Sequence, residues 1–214
     1  YFGHACLLLE TREVKILLDP VLSYTYEADV PRYTYQDFPD WIDYVLITHS
    51  HHDHILFETL LQLRHKVGQI LVGHNYEGFL QDPSLYLALR QIGFDKVREI
   101  RDLEEVQIPS GSITCIPFLG EHHDLYIHSR SCFLVRVGER SVISVSDSCN
   151  IEPVLYERVH DITGDADMLF LGMECDGAPV SWIYGPLLAA DMEREYDHSR
   201  RARGCNAAEG LDLA

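Results

Sequence analysis

The segment Thr48-His49-Ser50-His51-His52-Asp53-His54 sets His49, His51, Asp53 and His54 in a His-x-His-x-Asp-His pattern. Neutral imidazole and carboxylate are the ligand types that divalent transition metals take. In a turn, His49 and His51 can point one way while Asp53 and His54 address a neighbouring position, so one short loop could serve two adjacent metals. His52 falls between these residues and is expected to point away. A solvated His-rich loop or a purification tag is the bland alternative. The pattern, however, is internal and follows the apolar run Tyr44-Val45-Leu46-Ile47, which reads as a buried strand ending at a sheet edge.

A dinuclear site needs more ligands than one loop holds. Three polar clusters later in the chain each follow an element that could present them: Gly120-Glu121-His122-His123-Asp124, Ser146-Asp147-Ser148 and Asp197-His198. Any one of them is a weak signal, because Asp is a common turn former and cap. Their order behind the His loop is what counts. His65, His74, His128 and His160 are isolated and read as ordinary surface or core histidines. His4 is set apart only because its loop could lie near the metals.

The elements that must carry these residues are legible in outline. Residues 5–10 and 14–18 read as two strands joined by a polar turn and ended by Asp19-Pro20. Residues 23–40, rich in Tyr, Asp and Pro, have no period and read as a long loop of the kind that often serves function. Residues 55–65 have helical spacing, 69–72 read as a strand, 84–92 as a helix and 96–100 as a strand. Short β-branched runs at 106–108, 112–117, 132–137 and 141–145 predict antiparallel strands, and 168–171 reads as a further apolar strand. The charged stretch 191–203 reads as a helix. Two sheets covered by helices follow, an α/β (α+β) architecture in a single domain over residues 1–214.

Composition bounds the rest. The 214 residues are 46% hydrophobic, enough for a real core, and the formal net charge is −17. Such an acidic chain argues against a nucleic-acid partner. No apolar run is long enough to span a membrane. The six cysteines are scattered without a C-x-x-C pair, which predicts free thiols in a reducing compartment, the cytoplasm, rather than a disulfide framework. The chain opens without Met inside a strand-like run, so it is expected to be part of a longer polypeptide with a fused N-terminal domain. No Gly-rich phosphate loop or Ser or Cys nucleophile paired with a base is apparent.

The ligand order resembles the metallo-β-lactamase-fold superfamily along essentially the whole chain. The opening Gly3-His4-Ala5-Cys6 and Leu17-Leu18-Asp19-Pro20 are similar to its first strands. The resemblance implies a four-layer αβ/βα sandwich with two metal ions at one edge of the sheets. It implies His49 and His51 on the first metal, Asp53, His54 and His198 on the second, Asp147 bridging them, and Asp19 orienting the His loop from behind. Metal-bound imidazoles commonly need such a partner on the other ring nitrogen. At the third position most hydrolases of the superfamily place a His, which His122 or His123 could supply. Glu121 there instead resembles the dinuclear-iron β-hydroxylase branch of chloramphenicol-biosynthesis type, which acts on an aminoacyl group tethered to a carrier protein. The segment Gly172-Met173-Glu174-Cys175-Asp176-Gly177-Ala178-Pro179 with Trp182-Ile183-Tyr184 is also similar to that branch.

Two chemistries are thus implied. With Glu121, three carboxylates join four imidazoles, and the harder oxygen donors suit iron, with manganese as an alternative. An O2-dependent monooxygenase acting on a carrier-bound aminoacyl group is then expected. With His122 or His123 the set suits zinc, and a water bridging metals roughly 3.5–4 Å apart would hydrolyse an ester, thioester or phosphoester. In neither case does a side chain act as nucleophile; the chemistry belongs to the metal-bound water or dioxygen, and the substrate is a small molecule or a carrier-tethered group.

Overall fold

A computed structural model describes residues 1–22, 33–75, 85–119, 129–150, 152–173, 178–179, 181, 186, 189–199, 201–202 and 205–214. At 178, 196, 198, 199, 201 and 202 it describes the backbone only. The chain divides into two compact units, one built from residues 1–117 and 127–140, the other from 118–126 and 141–214.

The first unit opens with strands β1 (Leu7–Glu10) and β2 (Lys15–Leu18), an antiparallel pair in which Leu7 faces Leu18. Strands β3 (Ile42–Ile47), β4 (Val67–Gly73) and β5 (Val97–Ile100) then add in parallel, so the sheet order is the chain order. Parallel neighbours need crossovers. Helix α1 (Phe57–Leu63), followed by a 3₁₀ turn Arg64–Lys66, links β3 to β4, and α2 (Leu85–Gln91) lies between β4 and β5. The α1 helix is shorter than the 55–65 expected from spacing, because the turn after His51 occupies residues 51–55 and the last turn tightens to 3₁₀.

Alternate strand residues Leu17, Val45, Ile47, Ile70 and Val72 form one core with Leu60 and Leu63 of α1 and Leu85 and Leu89 of α2. The opposite residues Ile16, Leu18, Leu46 and Leu71 are also buried. Burial on both faces is why these strands read as continuous apolar runs rather than as alternation. Within the expected loop 23–40, the residues from 33 onward include a 3₁₀ turn, Tyr35–Asp37, closed by a Thr34–Asp37 capping box. Tyr35 accepts or donates a 2.6 Å hydrogen bond with His65 and lies under the Lys66 ammonium, 4.3 Å from its ring centroid. Tyr33 packs on Phe2. Tyr24 and Tyr26 lie outside the described residues. The unit also holds the antiparallel meander β6 (Glu105–Ile108), β7 (Gly111–Ile116) and β8 (Cys132–Val137).

The second unit contains β9 (Arg140–Ser146) and β10 (Met168–Leu171), paired in parallel with Met168 opposite Val142. Helix α3 (Pro153–Thr163) connects them and was not expected from the sequence. The charged stretch 191–203 is not one helix. Helix α4 (Arg194–Ser199) covers part of it, and Arg201–Ala202 pairs instead as a two-residue strand with Ala178–Pro179. Tertiary pairing overrides helix propensity there. A last helix, α5 (Ala207–Leu213), starts at an Asn206–Glu209 capping box that the sequence reading missed. Among the described residues, no helix is long and apolar enough to cross a membrane.

Candidate metal centre

The register of the first sheet brings the candidate residues to one edge. Leu18, the last residue of β2, pairs with Leu46 of β3, so Asp19 leaves its strand beside the point where β3 delivers Thr48 and His49. Asp19 is 1% exposed, and its backbone adopts a left-handed φ of 39°. Its N–H donates to the Leu46 carbonyl at 2.9 Å. The carboxylate accepts from the Thr48 backbone N–H at 2.8 Å and the Thr48 hydroxyl at 2.7 Å. It lies 2.9 Å from Nδ1 of His54. A carboxylate this deep is tolerable only because donors converge on it.

These contacts fix the tautomers of two imidazoles. An ionised carboxylate only accepts, so His54 must carry its proton on Nδ1, which makes Nε2 the lone-pair nitrogen. The Thr48 hydroxyl spends its proton on Asp19. Its oxygen, 3.0 Å from Nδ1 of His49, therefore accepts from His49, and there too Nε2 bears the lone pair. Asp19 and Thr48 together prepare both rings to bind a metal through Nε2, the arrangement by which carboxylates orient ligating histidines.

The turn that follows is closed by the N–H groups of His54 and Ile55, both donating to the His51 carbonyl at 2.9 Å. It folds the loop back so that the rings cluster. The His49 centroid lies 4.7 Å from that of His51 and 4.2 Å from that of His54. His49 and His54 are buried, His51 is half-buried, and His52 is exposed. Asp53 is 55% exposed, with Oδ2 lying 3.8 Å from Nε2 of His54 and 3.0 Å from Nε2 of His4. The hydrogen bond from His4, against a smaller opposing effect of burial, holds the Asp53 carboxyl well below the usual carboxylate range. His4, Asp53 and His54 each offer one ligand atom, and these atoms lie within 4.8 Å of one another. Convergent imidazoles with fixed tautomers and an ionised carboxylate form a donor set that fits a divalent transition metal.

The second unit presents Asp147 on a tight turn at the end of β9. Ser146 has a φ of 51°, and the Ser148 N–H donates to the Val145 carbonyl at 2.9 Å. Gly172 donates to the Ser146 carbonyl at 2.7 Å, and a Cβ at Gly172 would lie 2.7 Å from Oδ1 of Asp147. The buried Ser148 hydroxyl bonds Leu119 both ways, accepting from its N–H at 2.8 Å and donating to its carbonyl at 3.0 Å. The backbone of His198 lies in α4; its neighbour Asp197 is buried and accepts from the Ser181 N–H at 2.8 Å. Glu121, His122 and His123 lie outside the described residues, as do Glu174, Asp176, Trp182 and Tyr184.

Sequence reasoning had no role for Thr48, and for His4 it offered only that its loop could lie near the metals. The Gly3-His4 pair just ahead of the first strand was the available signal for His4. Cysteine nucleophiles find no support at two of the buried thiols: burial pushes Cys6 and Cys115 up to about 12, so neither is a thiolate at neutral pH.

The profile of the beta-lactamase superfamily domain matches residues 14–177. The chain is 46% identical, over its whole length, to the 4-amino-L-phenylalanyl-[CmlP-peptidyl-carrier-protein] 3-hydroxylase of Streptomyces venezuelae, and spans 40% of that protein. It superposes on the crystal structure of CmlA, a diiron β-hydroxylase from the same organism, with a TM-score of 0.86 at 46% identity, covering all of this chain and 41% of that one. An isothiocyanate hydrolase from Delia radicum gut bacteria shares the fold alone, with a TM-score of 0.66 at 14% identity, over 98% of this chain and 77% of its own. The His loop at a sheet edge, the two αβ units and the matched profile agree: the chain has the metallo-β-lactamase fold and belongs to the beta-lactamase superfamily.

Proposed function

We propose that this chain is the metal-binding part of a dinuclear-iron, O2-dependent β-hydroxylase acting on an aminoacyl group carried by a peptidyl carrier protein. The observation that carries the reading is the similarity, along all of this chain, to a hydroxylase of that kind, described as a diiron enzyme. The donor set of the His loop supports it. His49 and His51 would hold one iron, Asp53, His54 and His198 the other, with Asp147 bridging and Glu121 completing the first. Three carboxylates in that set are the harder donors that favour iron over zinc. The bound irons would supply redox capacity and open positions for dioxygen. Hydroxylation of a C–H bond then consumes one O2 and two reducing equivalents from an external electron donor, the second oxygen leaving as water.

The chain's own part is to present lone pairs and to keep protons in place. Asp19 and Thr48 hold the Nδ1 protons of His54 and His49, so neither ring can turn its protonated nitrogen to a metal. An acidic chain with buried free thiols suits a reducing cytoplasm.

Metal analysis of the full-length protein, purified without added metal, tests this. About two irons per chain and a visible absorption band that changes on reduction are expected. Glu121→Ala should lose iron while His123→Ala retains it. Stoichiometric zinc in a colourless protein would overturn the oxygenase reading and favour a zinc hydrolase built on the same ligands.

A further inference from the structure

We infer that His4 is a positioning residue for the metal centre, holding the Asp53 carboxylate in the rotamer that binds metal. This rests on the dinuclear reading above and adds to it a residue outside the His loop.

Four observations converge. Nε2 of His4 lies 3.0 Å from Oδ2 of Asp53, across 49 residues of sequence. The His4 ring meets the His54 ring edge-on, with centroids 5.2 Å apart, so it touches both neighbours that would share one metal. The backbone of His4 is left-handed, with φ of 48°, directly after Gly3 at 117°. A non-glycine residue there is uncommon and persists where its surroundings hold it. Those surroundings are a closed turn: Phe2 donates to the Cys6 carbonyl at 3.0 Å, Cys6 to the Gly3 carbonyl at 2.9 Å, and the Tyr1 hydroxyl to the His4 carbonyl at 2.6 Å.

The fold supplies the reason for the meeting. Leu7, at the start of β1, pairs with Leu18 at the end of β2, and Leu18 pairs with Leu46 near the end of β3. The turn before β1 and the loop after β3 thus emerge at the same edge. Asp53 needs what His4 gives. Its neighbour His54 is buried and locked to Asp19, whereas the Asp53 side chain is more than half exposed and would otherwise exchange rotamers in solvent. One oxygen accepting from the His4 N–H fixes the carboxylate as a preorganised ligand, the task outer partners of metal ligands perform at a typical 10–100-fold in affinity.

Cobalt(II) and iron(II) titrations of the full-length protein against a competing chelator test the inference on His4→Ala and His4→Gln. His4→Ala should weaken one of the two ions about 10–100-fold and leave the other unchanged. The cobalt ligand-field spectrum at saturation and the melting temperature of the metal-free protein should stay as in wild type. His4→Gln, whose amide can still donate, should recover most of the affinity. Unchanged affinity in His4→Ala, or a Gln variant no better than Ala, would overturn the positioning role. A changed spectrum at saturation would also overturn it, making His4 a ligand. Wild type that carries zinc would defeat the iron reading yet leave this comparison decisive, while wild type that binds no divalent ion would overturn both.

Discussion

At the scale of single residues, the centre is governed by where protons sit. Asp19 is the residue on which the most depends, because one buried carboxylate receives the Thr48 N–H, the Thr48 hydroxyl and the His54 ring. Asp19→Asn keeps the shape and replaces one acceptor oxygen by a donor NH2. If the NH2 stands at Oδ1 it faces the Thr48 N–H. If it stands at Oδ2, the Thr48 hydroxyl and Nδ1 of His54 must turn from donors into acceptors, which moves the His54 proton to Nε2. A loss of about 2–4 kcal/mol in stability is expected from denaturant unfolding of the metal-free protein, since hydrogen bonds to a charged group are worth about 1.5–3 kcal/mol each and ordinary ones about half that. Metal affinity should fall about 10–100-fold as well. Wild-type affinity in Asp19→Asn would show that tautomer control is not what Asp19 provides. The sequence made His49, His51, Asp53 and His54 legible because ligand type and spacing are local properties. His4 was not legible in that way: its partner is 49 residues distant, and only strand register brings them together. The same holds for the Thr48 relay, whose logic appears once both of its neighbours are seen.

At the scale of elements, the strands of the first unit could be read because parallel, doubly buried strands are written as unbroken apolar runs. Helix α3 escaped for the converse reason. Its inward residues Leu155, Tyr156, Val159 and Thr163 fall at helical spacing, but Val154 and Ile162 on the outer face are 57% and 65% exposed, so the apolar stripe is blurred. Its usable signals were punctuation: Pro153 at the first turn and Gly164, at φ 70°, as the C-cap. Close contact between elements also sets a constraint behind the site. A Cβ at Gly73, the last residue of β4, would lie 2.3 Å from the Ser131 hydroxyl and 2.7 Å from the Arg130 carbonyl. Ser131 in turn donates its N–H to the Thr48 carbonyl at 2.8 Å. Gly73→Ala should therefore cost about 1–3 kcal/mol by overpacking and disturb the strand end that delivers His49. Equilibrium unfolding in urea checks the first effect, and an unaltered midpoint would mean that segment 129–131 yields freely.

At the scale of the whole chain, the architecture followed from the order of elements, and the family from the order of the candidate ligands; Glu121, His122 and His123, on which the sequence reading hung the choice of metal, lie outside the described residues. The chain spans about two fifths of the curated hydroxylase it matches, so the substrate belongs to the larger protein. One feature of the first unit bears on how such a protein comes to exist. Its first sheet runs β1 to β5 in sequence order, and the bonds from Asp19 to Thr48 and His54 span only 29 and 35 residues. Parallel pairing across such separations is slower than hairpin closure, but all of it lies within the part of this chain made first, and domains fold in order as they are synthesised. A ribosome that has translated as far as β8 has therefore exposed His4, Asp19 and the entire His loop while Asp147 and His198 are still unmade. Nascent chains stalled at the end of β8 should already protect β2 to β4 from protease, whereas complete digestion would mean that the later residues are needed to close the loop. The His loop would then be waiting, with the ring protons of His49 and His54 assigned, before translation supplies Ser141–Ala214 of the second unit.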